Sequence, residues 1–354
     1  MIERDASQTF SRNAWQRCAA FGVQGTPIPK EYGGRGSDAI TTIAMMEGLG
    51  FGGSDQGLLF AISAQMWTTS IPLLMYGTEE QKRKYLPGLC DGSLIGANGT
   101  SESEAGSDAF SMQTRAVKNG SGYTLSGKKI FVTNAPVADL FVVYATLDPK
   151  LRGSGICAFL VEKGTKGLSI GPKKHKMGLR TALMAEVALD DCHLPHSALL
   201  GREGRGAELF HSSMTWERGC ILAACLGTMR RQLERCVEHA RKRKQFGQTI
   251  GKFQSVANRL VDMKIRYETA RLLIYKFGWL IQSNKSAEMH AAIAKLYASE
   301  AFVKSCLDAI QVHGGAGFLT EFEFEREMRD SIGSTIYSGT SEIQRNIIAR
   351  GLGI

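Results

Sequence analysis

The sequence predicts an α+β protein whose regions run helix, sheet, helix. Three observations predict it: apolar residues recur at helical spacing up to about residue 92, alternate with a period of two between about 93 and 201, and return to a 3.6-residue period beyond Gly206. The 354 residues divide accordingly into an N-terminal helical domain (1–92), a middle antiparallel β domain (93–201) and a C-terminal helical bundle domain (202–354).

In the first region, residues 41–46 and the apolar run 57–76 read as helices. The run is interrupted by Ser63, Gln65, Thr68, Thr69, Ser70 and Pro72, which predicts a core helix and not a membrane span. Thr78-Glu79-Glu80-Gln81 fits a capping box, in which the Thr78 hydroxyl accepts an N–H three residues on while Gln81 reaches back, so a helix starts there. In the second region, residues 114–117, 123–125, 129–133, 140–145, 156–161 and 184–189 read as short strands. Turns are expected at Asn119-Gly120, Ser126-Gly127 and Gly153-Ser154-Gly155, and strands at this spacing suggest an antiparallel sandwich or barrel. In the third, residues 207–243, 253–282, 287–312 and 340–348 predict a bundle of long helices.

Composition narrows the function. The chain is 43% hydrophobic, ample for a buried core, and its eight cysteines include no Cys-x-x-Cys pair. No charged-then-apolar leader opens it, which points to reduced thiols and a cytoplasmic location. A net charge of +9 suits nucleic acid, an acidic protein or a phosphorylated small molecule equally. Its two concentrations, Lys173-Lys174-His175-Lys176 and Arg241-Lys242-Arg243-Lys244, read first as solvated faces. The 40 glycines include no Gly-x-Gly-x-x-Gly between strand and helix and no phosphate loop ending in Gly-Lys-Ser/Thr. His193 and His196 lack a third ligand, and Pro195 puts them on a loop, so no metal is expected. No serine sits in a Gly-x-Ser-x-Gly elbow.

Five segments carry the chemistry: ANGTSESEAGSD (97–108), GKKIFVTN (127–134), RKRKQFGQTIGKFQ (241–254), QVHGGAGF (311–318) and IYSGTSEIQR (336–345). In this order and spacing they resemble the acyl-CoA dehydrogenase family of flavoproteins, over essentially the whole chain, which starts within the family's first helix. The resemblance implies an N-terminal helical domain, a middle β domain and a C-terminal four-helix bundle, with FAD as cofactor. It further implies that Ser101 bonds the flavin ring, Ser107 the FAD pyrophosphate, and Thr133 the region of flavin N5, with Phe131 stacked near the flavin. Arg243 and Phe246 resemble residues that reach the FAD of a neighbouring subunit, with Gln254, Gln311 and Gly315 near that shared site, so a homotetramer or homodimer is expected. Thr340 and Glu342, at a helix start, resemble contacts to the adenosine half, where a glycine turn offers free N–H groups.

In most of the family the residue between this tyrosine and glycine is a glutamate, the base that removes the α-proton; here it is Ser338. A serine without a partner base cannot take that proton efficiently. The isovaleryl-CoA and long-chain branches place the glutamate instead on a bundle helix just before an arginine, where this chain has Glu217-Arg218 in MTWERGCIL. On one long helix Glu217 shares its face with Phe210, Met214, Ile221 and Ala224, and burial there raises a carboxyl pKa toward the operating pH.

The resemblance implies that Glu217 takes the α-proton of an acyl thioester while hydride leaves Cβ for the flavin. The backbone N–H of Ser338 then helps polarise the thioester carbonyl, with Arg218 beside the base. The acyl group is expected on coenzyme A or on an acyl-carrier protein, whose acidic helix the basic runs could meet, with carrier-bound substrates leading, and a separate acceptor must reoxidise FAD. Two other classes remain open: a flavin-containing nucleic-acid binder, marked by steep salt dependence, and a catalytically silent FAD scaffold, separated from the enzyme by substituting Glu217.

Overall fold

A computed structural model of the chain describes residues 1–53 and 55–354. Helices α1 (Ile2–Ser7), α2 (Arg12–Ala20), α3 (Ala39–Gly52), α4 (Gln56–Gln65), α5 (Ile71–Tyr76) and α6 (Glu79–Asp91) come first. Ser11, Asp38 and Asp55 start α2, α3 and α4 by accepting backbone N–H groups of Ala14, Thr41 and Leu58. A single π-type turn at Met66–Ser70 joins α4 to α5. The resulting helix, Gln56–Tyr76, is long and apolar enough to cross a membrane, yet 78% of its most apolar window is buried inside the protein. It is the core helix the sequence predicts. The capping box also forms: Thr78 Oγ1 accepts from Gln81 N at 3.2 Å and Gln81 Oε1 from Thr78 N at 3.0 Å.

Eight strands follow: β1 (Gly96–Gly99), β2 (Arg115–Asn119), β3 (Gly122–Thr133), β4 (Leu140–Thr146), β5 (Ile156–Glu162), β6 (Leu168–Ile170), β7 (Met184–Pro195) and β8 (Leu199–Leu200). They are hydrogen-bonded into one sheet in the order β6-β7-β3-β2-β4-β5-β8, with β1 also on β4. Most pairings are antiparallel, but β1 and β2 each pair with β4 in parallel. The central strand β4 is buried along its whole length, which is why it reads as the unbroken apolar run LFVVYAT.

Two sequence expectations fail here for identifiable reasons. Ser126-Gly127 is not a turn; β3 runs straight through it, and the register shifts there because β7 carries the extra residue, between Leu189 and Cys192. A glycine opposite a bulge and a glycine in a turn look alike in one sequence. His193 is not on a loop but on β7, where its Nδ1 pairs with Thr124 Oγ1 of β3 at 2.8 Å. Pro195 ends that strand without interrupting it.

The last region holds α7 (Gly206–Cys220), α8 (Ala223–Lys242), a tight hairpin of β9 (Lys244–Gln245) and β10 (Gln248–Thr249), then α9 (Gln254–Gln282), α10 (Glu288–His313), α11 (Gly315–Phe318), α12 (Phe324–Gly333) and α13 (Ser341–Gly351). The single helix expected over 207–243 is two, because the backbone leaves the helical region at Leu222 (φ −93°, ψ 5°) while the apolar spacing continues across the kink. Helix α12 lies outside the four periodic segments of this region. Helix α10 packs against α7, α8, α9, α12 and α13 and so occupies the middle of the bundle. Helices α3 and α8 touch backbone to backbone: a Cβ on Gly50 would stand 1.8 Å from Ala224 O, and one on Gly227 2.0 Å from Glu47 O.

Candidate active site

Glu217 sits in the last turn of α7, 7% exposed, on a face with buried Met214 and Ile221. Ala224, expected on that face, lies beyond the kink on α8, though it is buried as well. Burial pushes the Glu217 carboxyl up to about 7, and Ser338, Arg218 and Lys295 oppose the shift by favouring the anion. Its place at the carbonyl end of α7 works in the same direction as burial, since the helix dipole disfavours a negative charge there.

Facing Glu217 is the turn between α12 and α13. Ser338 has φ 58° and Gly339 φ 93°, so the chain passes through two left-handed residues in succession. A serine there is strained and must be held. Arg218 Nε donates to Ser338 O at 3.2 Å, Gln344 Nε2 to Ser338 O at 3.2 Å and to Gly339 O at 2.8 Å, and Lys295 Nζ to Gly339 O at 2.7 Å. Arg218 thus grips the turn that faces its neighbour, and Lys295, fully buried on α10, grips it from below. Desolvation brings the Lys295 ammonium down to about 8. The Ser338 hydroxyl is buried without a partner at ordinary hydrogen-bonding geometry, and it lies close enough to the Glu217 carboxyl to favour its anion as a donor.

Aromatic rings close this space. Tyr337 lies 4.5 Å from Phe60 of α4, and Trp216 stacks on Trp67 at 6.0 Å and meets Phe277 edge-on at 6.4 Å. Beneath Tyr337 lies a cavity of about 10 Å³ lined by Phe60, Ile221, Cys225 and Phe302. A wider cleft of about 720 Å³ between α8 and α9, lined by Arg230, Glu234, Glu238, Arg241 and Lys264, contains none of these residues.

A second group lies on the sheet. Ser101 follows β1, and its carbonyl accepts from Ile130 N of β3 at 2.8 Å, which brings the 97–108 loop against the strand carrying Phe131 and Thr133. Lys129, fully buried, reinforces the junction by donating to Glu102 Oε1 at 2.6 Å and Thr100 O at 3.1 Å. Glu102 in turn accepts from Gln113 N at 2.6 Å and Thr114 N at 3.0 Å. Asn134 donates to Ala61 O and Gly96 O, each at 3.0 Å, and locks the end of β3 onto α4. Ser107 is exposed on the same loop. Phe131 has φ 56° and is 64% exposed, an unusual combination for a large apolar residue.

The third group is remote from both. Arg243 ends α8, Phe246 tips the β9–β10 hairpin 93% exposed, and Gln254 opens α9. His239 of α8 stacks on His313 at 4.5 Å, which sets the hairpin beside Gln311 and Gly315 at the end of α10. This end stands roughly 24 Å along α10 from Lys295. Thr340 caps α13 by accepting from Ile343 N at 3.3 Å, and Glu342 is exposed in its first turn, beside the Ser338 turn. The structure therefore unites Glu217, Arg218, Ser338 and Thr340, unites Ser101, Phe131 and Thr133, and leaves Arg243, Phe246, Gln254, Gln311 and Gly315 at the far end. Sequence reasoning missed Lys295, Gln344 and the Lys129–Glu102 pair. A lone lysine in the alanine-rich run AAIAKLYAS was the available signal for the first.

The basic runs are less free than they read: Lys173 donates to Ser7 O at 3.2 Å, Lys174 pairs with Glu186 at 2.7 Å, and Lys242 with Glu238 at 2.6 Å. Among the described residues no group of three or more His, Cys, Asp or Glu could hold a metal, and all eight cysteines are free thiols.

The sequence matches the acyl-CoA dehydrogenase N-terminal, middle and C-terminal domain families over residues 1–93, 97–192 and 204–353. This chain belongs to the acyl-CoA dehydrogenase family. Within that family it is 43% identical to an L-prolyl-[peptidyl-carrier protein] dehydrogenase of Pseudomonas fluorescens, over 98% of this chain and 91% of the relative. Among solved structures it is similar to the prolyl acyl carrier protein oxidase AnaB (50% identity, TM-score 0.99, covering 100% of this chain and 93% of that one). It is also similar to PigA with FAD and proline (43% identity, TM-score 0.97, 99% and 92%). Butyryl-CoA dehydrogenase of Megasphaera elsdenii shares the fold at 36% identity, with TM-score 0.96 over 100% of this chain and 93% of that chain.

Proposed function

We propose that this chain is an FAD-dependent dehydrogenase of an acyl thioester, that the acyl group is a compact one of the prolyl kind held on a carrier protein, and that Glu217 is the base. The observation that carries the reading is Glu217 itself: a buried carboxyl titrating near 7, beside a turn whose usual glutamate is replaced by Ser338. A base poised near the working pH is half ionised, which is the condition for efficient proton transfer. The relatives named for prolyl-carrier substrates support the acyl group, and the closure by Phe60, Tyr337, Trp67 and Trp216 fits a short acyl group better than a long chain.

In this reading the chain's residues divide the work. Glu217 takes the proton from the carbon next to the thioester carbonyl. The N–H of Ser338, fixed by the hold of Arg218, Gln344 and Lys295 on the carbonyls of the turn, polarises that carbonyl so the α-proton becomes acidic enough to leave. FAD, when bound, supplies the acceptor for the hydride that leaves the β-carbon. The exposed, left-handed Phe131, with Thr133 and Ser101 beside it, offers an uncovered aromatic face flanked by hydroxyls, and Ser107 and the α13 start with Thr340 and Glu342 offer polar groups for the rest of the molecule. Arg243, Phe246, Gln254, Gln311 and Gly315 then serve the cofactor of a neighbouring copy, which makes a homotetramer or homodimer part of the proposal. The units 1–92, 93–201 and 202–354, free thiols in a reducing cytoplasm, and a separate electron acceptor complete it.

The experiment is anaerobic mixing of the purified yellow protein with prolyl-carrier, prolyl-CoA, butyryl-CoA and isovaleryl-CoA thioesters while flavin absorbance is followed. Bleaching fastest with the prolyl-carrier thioester supports the reading, and bleaching only with the aliphatic CoA esters removes the prolyl assignment.

A further inference from the structure

We propose that the side chain of Ser338 is a specificity element that hydrogen-bonds a nitrogen on the α-carbon of the substrate, so that the site selects α-amino acyl thioesters over their carbon isosteres. The inference rests on the function proposed above and goes beyond it, since that reading uses only the backbone N–H of this residue.

The Ser338 hydroxyl is buried and has no partner at ordinary hydrogen-bonding geometry; it lies close enough to the Glu217 carboxyl to favour its anion as a donor. Leaving a buried hydroxyl unpaired carries a cost, so such a group calls for a partner that arrives with the ligand. Its location says which atom that is. Glu217 must reach the proton on the substrate's α-carbon, so a hydroxyl bordering Glu217 faces the other substituents of that same carbon. In a prolyl group one of those substituents is the ring nitrogen. A hydroxyl is both donor and acceptor, and serves this nitrogen whether it is a neutral amine or carries an extra proton.

The backbone supports the same assignment. Ser338 is held in a left-handed conformation (φ 58°) by Arg218 and Gln344 on its carbonyl. One residue thus presents an N–H for the thioester oxygen and a hydroxyl for the nitrogen three bonds away from it, a two-point grip on one face of the reacting carbon. A plain aliphatic acyl group satisfies only the first. A glutamate at this position, as in most of the family, would put a carboxylate where the nitrogen contact lies and leave no room for a separate base at 217.

The test uses holoenzyme reduced anaerobically with dithionite, which cannot oxidise a substrate, titrated in a calorimeter with prolyl-S-pantetheine and with cyclopentanecarbonyl-S-pantetheine, which differ only by the ring nitrogen. Wild type should bind the prolyl ester about 10- to 100-fold more tightly. Ser338→Ala and Ser338→Gly, the latter suited to the left-handed backbone, should both lose this preference to within about threefold while keeping their affinity for the carbocycle. A preference that persists in both variants, no preference in wild type, or binding of neither ester overturns the proposal. Failure of the dehydrogenase reading shows separately, as oxidised wild-type holoenzyme that does not bleach with any thioester.

Discussion

The ammonium of Lys295 donates to the carbonyl of Gly339 at 2.7 Å, which ties the middle of α10 to the turn that carries Ser338. Lys295 is also one of the cations that favours the anion of Glu217. One residue therefore both shapes the turn and tunes the base. In Lys295→Met the turn loses an anchor and the carboxyl loses a favourable charge, so its pKa rises further. The rate of flavin reduction at pH 7 should fall about tenfold, and the acidic limb of the pH profile should move to higher pH. A stopped-flow pH series on both proteins checks this; an equal loss of rate at every pH would show that the lysine acts on shape alone.

The wild-type profile has its own expectation. Glu217 must be ionised to accept a proton, and it titrates near 7. The rate of flavin reduction at saturating substrate should therefore climb about tenfold per pH unit below 7 and level off above it.

The same shift has a stability consequence of definite sign. The folded-state pKa of Glu217 lies above that of an unfolded glutamate, so the favourable contribution of its proton is complete below about 4.5 and disappears as pH rises through about 7. Glu217→Gln keeps the neutral shape at every pH. Relative to wild type it should be little changed at pH 4.5 and more stable by about 3 kcal/mol at pH 8, which denaturant titrations at the two pH values would measure.

On the sheet, Lys129 and Glu102 form a buried pair that joins the Ser101 loop to β3. Lys129→Met leaves the Glu102 carboxylate buried with its countercharge gone, at a cost of about 3–5 kcal/mol. The urea midpoint should drop, and less FAD should survive gel filtration, because the loop and the strand that carry Ser101, Phe131 and Thr133 are no longer clamped together. Unchanged FAD content with a lowered midpoint would separate folding from cofactor binding.

Much of this was legible in the sequence, and the limits have physical causes. The three-region order, the capping box at Thr78 and the long bundle helices rest on local periodicity and capping chemistry, which a single sequence records directly. The kink at Leu222 was not legible because apolar spacing continues across it, nor the passage of β3 through Gly127 because glycine serves turns and strand irregularities alike. The parallel pairing of β1 and β2 with β4 is a long-range choice that strand patterns do not encode. At the site, Glu217 stood out as a carboxyl among apolar neighbours, whereas the hold of Lys295 and Gln344 on the Ser338 turn joins residues far apart in the chain. Helix contact was equally hidden: Gly50 and Gly227 look like ordinary helix glycines until α3 and α8 are seen to cross there. Gly227→Ala should push the two apart and lower the denaturant midpoint by an amount worth about 1–3 kcal/mol.

The account depends most on Glu217 as the base, and the most direct measurement is single-turnover flavin reduction in Glu217→Gln beside wild type. Both are mixed anaerobically with the thioester that bleaches wild type fastest, with ligand binding confirmed by calorimetry. The account predicts that the variant binds the thioester with similar affinity and that its flavin reduces at least about 10²-fold more slowly. Reduction of both proteins at the same rate would contradict it.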